Sequence, residues 1–510
     1  MRGKKGRLKF TGKILLSLTP AVLICAGWLL FAQSPSSKNT NSNRNNITDR
    51  SHIDAARDGR INNLTALAPN APPEVAADVL LTIASSSLIG DKQRSIPLIN
   101  EAFLIAGQAR EPFKQRSWGL LVDTRSGFKE AASDLQLDRL SLQSRAVMKM
   151  ILLDRVRARE MFEEISLPPI EPLTCKDTLV PDLGPYYQAM KSVSEECFTD
   201  KEKKASLQIQ FLADRIEKIK SIPQLTPAEK MIVSAKASPD ELSLLAYVMT
   251  RALNRVTYEP RSFAFAIERD VFIPATNQLI SKLKQNDVPA NDFIDAIRSF
   301  LTKNMSGEVC GDTRWIKDGV ISIPRGFESI NVAFVRPITI DDIHPSRIGP
   351  KGDDVTYWST PKAKAIMEAA KTLRFGDGTS PLPLEQRKSD EWRQKLADFL
   401  DLIGNWDPES EASEDDYFQE KCNMYNLLVD LCPEDDQRDI VLRRYARYLK
   451  ETSGRYKGRM EWILPVTECL RALRSKNETT QKSSLDPWLS SSDTSLRIYA
   501  ELTMLMTPKN

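Results

Sequence analysis

Only two histidines occur in 510 residues, His52 and His344, and that scarcity limits the chemistry open to the chain. A multi-histidine metal centre is all but excluded. In "DDIHPSR", Asp341 and Asp342 stand beside His344, three side chains of ligating type, but no second cluster follows to complete a coordination shell. The plainer reading is a solvated turn. Cys310 and His344 would supply a nucleophile and a base, yet a cysteine with five others around it in an exported chain reads as bridged, not catalytic. Neither a metal nor a cofactor is expected.

The segment "STPK" places Ser359 three residues before Lys362 at a helix start, which resembles the Ser-x-x-Lys of penicillin-recognising enzymes. The rest of that pattern is missing: no Ser-Asp-Asn follows, and "KTL" at Lys371 lacks the glycine of Lys-Thr-Gly. Ser359 or Thr360 as a helix cap is the default. The Gly-Leu-Met-Gln signature of lytic transglycosylases is absent, and "FGDGTSP" lacks the Lys-Ser/Thr of a phosphate loop.

Six cysteines lie beyond the apolar leader: Cys175, Cys197, Cys310, Cys422, Cys432 and Cys469. An even set in an exported chain reads as disulfides. Cys422 and Cys432 on one continuous helix would stand about 15 Å apart, too far to pair with each other. Cys175 and Cys197 share one proline-rich stretch and are expected to pair. For the others two connectivities stay open: Cys310 to Cys422 with Cys432 to Cys469, or Cys310 to Cys432 with Cys422 to Cys469.

The disulfide expectation rests on export. Residues 14–31 are apolar apart from Ser17, Thr19 and Pro20, and as a helix they reach about 27 Å, nearly a bilayer core. Six basic residues and no acid precede them, which places the N-terminus inside and the body outside. The length of the run and of its basic head favours a retained single-pass anchor over a cleaved signal, although Ala32 offers a cleavage position. Either route gives an extracytoplasmic body. The chain carries 71 Lys+Arg against 68 Asp+Glu, and removing the six leader residues leaves 65 against 68. A near-neutral body gives no electrostatic reason to expect nucleic acid.

Residues 34–50 are polar and aperiodic, a flexible linker. Helical periodicity then dominates. Val75, Val79, Leu80 and Ile83 mark one helix, and Leu98, Ala102, Ile105, Ala106 and Ala109 a second; Leu142, Ala146, Val147 and Met150 precede Ala158, Met161, Phe162 and Ile165 in another pair. Residues 74–165 thereby resemble a degenerate tetratricopeptide-type array, without that family's full Trp/Leu-Gly-Tyr pattern. The resemblance implies a surface for protein partners.

The fold class expected is mostly α: a helical-hairpin, solenoid-like array over 51–305 with a cysteine-containing insertion near 166–204, an irregular or β excursion over 306–358, and a second helical domain over 359–510. "TPAE" at Thr226 and "SPDE" at Ser238 read as capping boxes. Trp392, Leu396, Phe399, Leu400 and Ile403 form one stripe, opened by Asp390 and Glu391 and closed by Gly404. The function expected is a non-catalytic, membrane-anchored scaffold of the cell envelope holding a protein partner. The alternative is an exported hydrolase of unrecognised type using residues 306–354.

Overall fold

The computed structural model describes residues 57–86, 89, 91–117, 124–269, 271–356, 360–408, 413–433, 435–455, 459–474 and 478–506. The 14–31 run, the 34–50 linker, His52 and Ser359 lie outside these residues. Among the described residues no helix is long and apolar enough to cross a membrane, so the anchor expectation rests on residues 14–31 alone.

The chain is mostly α-helical, as its periodicity predicts. Helix Pro73–Ser85 begins with proline, whose missing N–H costs nothing in the first turn, and buries Val75, Val79, Leu80 and Ile83 against helix Lys92–Ala106. Asp91, Asp138 and Asp154 cap helices Lys92–Ala106, Arg139–Ile151 and Arg155–Glu164 by accepting the N–H of Gln93, Ser141 and Arg157 at 2.8, 2.9 and 3.0 Å.

Packing then advances along the chain. Helix Lys92–Ala106 lies against Arg139–Ile151, that against Gly184–Glu196, and so on through Leu207–Ile216 and Pro239–Arg255 to Asn291–Ser306. Their starts at 92, 139, 184, 207, 239 and 291 are unevenly spaced, which is not a fixed repeat period. The helices after residue 360 return to the first ones. Helix Arg459–Arg474 packs on Arg125–Ser133, and Thr494–Met506 on Pro73–Ser85, where the Tyr499 hydroxyl donates to Asp78 at 3.1 Å. Residues 57–510 accordingly hold together as one unit.

Strands are short. Gln115–Ser117 pairs antiparallel with Leu179–Pro181, and Glu308–Cys310 runs parallel to Arg347–Gly349. Ile316–Lys317 and Val320–Ile321 form a hairpin whose two turn residues, Asp318 and Gly319, take φ of 52° and 79°, the left-handed pair that matches strand twist. The excursion after residue 306 is therefore the β-containing segment the sequence predicts.

The disulfide expectation needs correction. The bond present joins Cys175 to Cys310, 135 residues apart, with Cα atoms at 5.1 Å. Cys197 is not its partner, and neither open connectivity for the other cysteines occurs: Cys197, Cys422, Cys432 and Cys469 are buried thiols. The stretch over 166–204 is not a self-contained insertion, because its strand Leu179–Pro181 leaves to pair with Gln115–Ser117. Gly349 follows the same junction; a Cβ there would stand 3.0 Å from the Cys175 sulfur and closer still to the Glu308 carboxylate. The cap at Thr226 is also corrected. Helix Leu225–Ser234 starts two residues earlier than a cap at Thr226 requires, continuing a 3-10 turn capped by Ser221 with Gln224, while Glu229 is buried and accepts from the Thr276 hydroxyl.

Candidate interaction cleft

A cleft of about 450 Å3 opens where strand Leu179–Pro181, the start of helix Gly184–Glu196, the turn at Ile222–Gln224 and helix Pro260–Glu268 meet. That volume lies in the range of ligand and anchor-residue pockets. Val180, Leu183, Ile222, Phe265 and Ala266 give it an apolar floor. Val180, Leu183, Ile222 and Ala266 are buried and Phe265 half-buried, and they come from separate stretches of the chain, so the floor exists only once those stretches are packed.

Charge surrounds that floor. Arg116 reaches Asp182 at 3.0 Å and Asp134 at 2.6 Å, and Arg269 donates to the Ser117 carbonyl at 2.8 Å and reaches Glu130 at 3.3 Å. Burial pushes the Glu130 carboxyl above its usual range, against the opposing pull of Arg269, the Ser117 N–H and Arg116. Lys230 stands exposed at the rim. Asp182 also accepts the Gly184 N–H at 2.9 Å, so it occupies one donor at the start of helix Gly184–Glu196. Arg116, Lys230 and Arg269 thus face Glu130 and Asp182, an excess of positive charge beside an apolar floor. The arrangement can hold an apolar side chain and an acidic group together.

The residues singled out from sequence fall elsewhere. Asp342 binds Arg336 at 2.9 Å and Arg298 at 3.4 Å and closes the Thr339 cap at 2.9 Å. The backbone and hydroxyl of Thr339, ahead of the two arginines, hold its carboxyl below the usual range. It is committed to those partners, and His344 and Asp341 stand exposed. Among the described residues no group of three or more His, Cys, Asp or Glu stands close enough to hold a metal ion. Cys310 is bridged, which removes it as a nucleophile. Thr360, accepting the Ala363 N–H at 3.2 Å, is the cap of helix Pro361–Phe375, with Lys362 exposed.

Sequence reasoning missed Arg116, Lys230 and Arg269. They come from three segments more than 100 or about 40 residues apart, and no local spacing announces such a meeting. No protein-family model matches the chain, and comparison with curated proteins and with solved structures returns no match.

Proposed function

We propose that the chain is an exported, membrane-anchored helical protein that holds a protein partner and carries out no catalysis. The cleft is the observation that carries this reading. Its occupant is an extended segment of the partner bearing an apolar side chain beside a carboxylate, the first seated on Val180, Ile222 and Phe265, the second drawn by Lys230 and Arg269. The unevenly spaced helical progression forms the rigid frame for that segment, and the 14–31 run holds the frame at the membrane with its basic head inside. The Cys175–Cys310 bond is consistent with an extracytoplasmic location. The hydrolase reading draws no comparable support, because Asp342 is held by two arginines and Cys310 by a disulfide.

A photo-crosslinking residue at position 265 of the full-length protein, in its native cell, tests the reading. One discrete protein adduct that disappears with Lys230→Glu, and that is not formed from the exposed control position 384, is the expected result. Identical adducts from both positions, or none from position 265, would overturn it.

A further inference from the structure

An apolar edge stands uncovered on the first helices. Leu104, Leu152 and Val156 are 63%, 73% and 69% exposed. Leu104 lies on helix Lys92–Ala106, Leu152 in the turn that ends helix Arg139–Ile151, and Val156 on helix Arg155–Glu164. The Arg157 guanidinium donates to the Asn100 side-chain oxygen at 2.9 Å, which fastens the start of Arg155–Glu164 to the middle of Lys92–Ala106. Leu104 is one turn beyond Asn100 and Val156 is next to Arg157, so the apolar side chains flank one junction.

The core does not need them. Each helix buries a different face, with Ala102 and Phe103, Val147 and Met150, and Met161 and Phe162 inside. What covers the edge follows from where the chain enters the body. The described residues begin at Arg57, and Asp58 and Asn62 meet Arg94, in the first turn of helix Lys92–Ala106, at 3.3 and 3.4 Å. Entry is thus on the helix that carries Leu104, and the ten residues from Arg94 to Leu104 rise about 15 Å. Residues 32–56, mostly polar, connect the apolar run to Arg57, and a coil of 25 residues spans about 25 to 30 Å. The edge therefore lies within one tether length of a bilayer that holds residues 14–31. Tethering on that scale gives an effective concentration in the millimolar range, at which a weak contact is populated. Arg155, beside Val156, pairs with Glu196 at 3.0 Å between two exposed groups, a link weak enough to yield to a lipid phosphate.

We propose that this edge rests on the outer surface of the bilayer, with Leu104, Leu152 and Val156 seated at the boundary between headgroups and acyl chains. The contact rests on the reading of residues 14–31 as a retained anchor, because three aliphatic side chains alone hold a bilayer only weakly. It is independent of the cleft and of the cleft's partner.

The test is a nitroxide placed singly, on a genetically encoded keto residue that spares the native cysteines, at positions 104, 152, 156 and 335 of the full-length protein in phosphatidylethanolamine–phosphatidylglycerol vesicles. Val335, fully exposed after residue 306, is the control. The expected result is loss of collision with an aqueous nickel chelate, and gain of collision with lipid-dissolved oxygen, at 104, 152 and 156 but not at 335. Leu152→Asp with Val156→Asp, both at exposed positions, should return position 104 to the aqueous pattern while the melting curve stays cooperative. Nickel access at the three positions equal to that at 335 would overturn the proposal, and so would protection accompanied by spin–spin broadening between copies, which marks a second copy on the edge. Failure of the anchor reading shows separately, as native protein that lacks residues 1–31 or leaves the membrane in alkaline carbonate, and removes the tether and the proposal with it.

Discussion

Arg261 and Asp312 meet at 3.0 Å beside the Cys175–Cys310 bond, with the same guanidinium nitrogen donating to the Cys175 carbonyl at 2.6 Å. Arg261 is fully buried, and the Asp312 carboxylate also accepts the Gly352 N–H at 3.1 Å. One covalent link and one charged pair therefore tie the segment after residue 306 to the helices before it. The tie extends to Arg125, whose N–H donates to the Val355 carbonyl at 3.1 Å, and to Ser126, whose hydroxyl donates to Asp354 at 2.6 Å.

Removing the covalent link should destabilise the whole unit. For a closed loop of 135 residues the chain-entropy model puts the contribution near the upper end of about 2 to 5 kcal/mol. Cys175→Ser with Cys310→Ser should lower the melting temperature, and a reducing agent should have the same effect on the unaltered protein and none on the double variant.

Removing the charged partner should cost nearly as much. Asp312→Ala leaves the Arg261 guanidinium with one fewer acceptor in a buried place, and breaking such pairs costs about 3 kcal/mol or more. Urea denaturation should show a lower midpoint with an unchanged slope. Asp312→Asn, which keeps an acceptor for Gly352, should lose less.

Stability should fall across a defined pH window because of Glu111. Its folded carboxyl, at about 7, lies above the ordinary 4.5, so folding favours the neutral form. That contribution is complete below about 4.5 and is lost as pH rises through about 7. The full shift corresponds to about 3 kcal/mol, and partial exposure of the side chain reduces the expectation to about 1 to 2 kcal/mol. Glu111→Gln should flatten the difference in denaturation free energy between pH 4.5 and 8 and be the more stable protein at pH 8.

His344→Ala should leave the melting temperature unchanged, since the ring is exposed. Asp342→Ala should lower it, because Arg298, Arg336 and the Thr339 cap lose their common partner. The same contrast in the presence and absence of a chelator separates a structural carboxylate from a metal ligand: the chelator should change neither curve.

Local physics was legible in the sequence. Ser238 and Glu241 form the reciprocal cap their spacing predicts, at 3.4 and 2.8 Å. Trp392, Leu396, Phe399, Leu400 and Ile403 are all buried on helix Asp390–Gly404. At Thr226 the same motif misleads, because Glu229 faces Thr276 in the core and the preceding turn supplies the helix start. Pairings across more than 100 residues left no local trace. Cys175 has a nearer cysteine in sequence, Cys197, and its choice of Cys310 follows from where strand Glu308–Cys310 lies in the packed chain. The cleft was illegible for the same reason, since its floor is assembled from separate stretches of the chain.

The most direct test is a peptide map of the protein purified from its native cell under alkylating denaturant. One linked pair joining Cys175 to Cys310, with Cys197, Cys422, Cys432 and Cys469 recovered as alkylated thiols, is the result expected of an exported chain with this fold. Burial pushes the Cys197 thiol up to about 11, so it should label only after unfolding. Recovery of Cys175 and Cys310 as free thiols, or linkage of Cys175 to Cys197, would contradict the account.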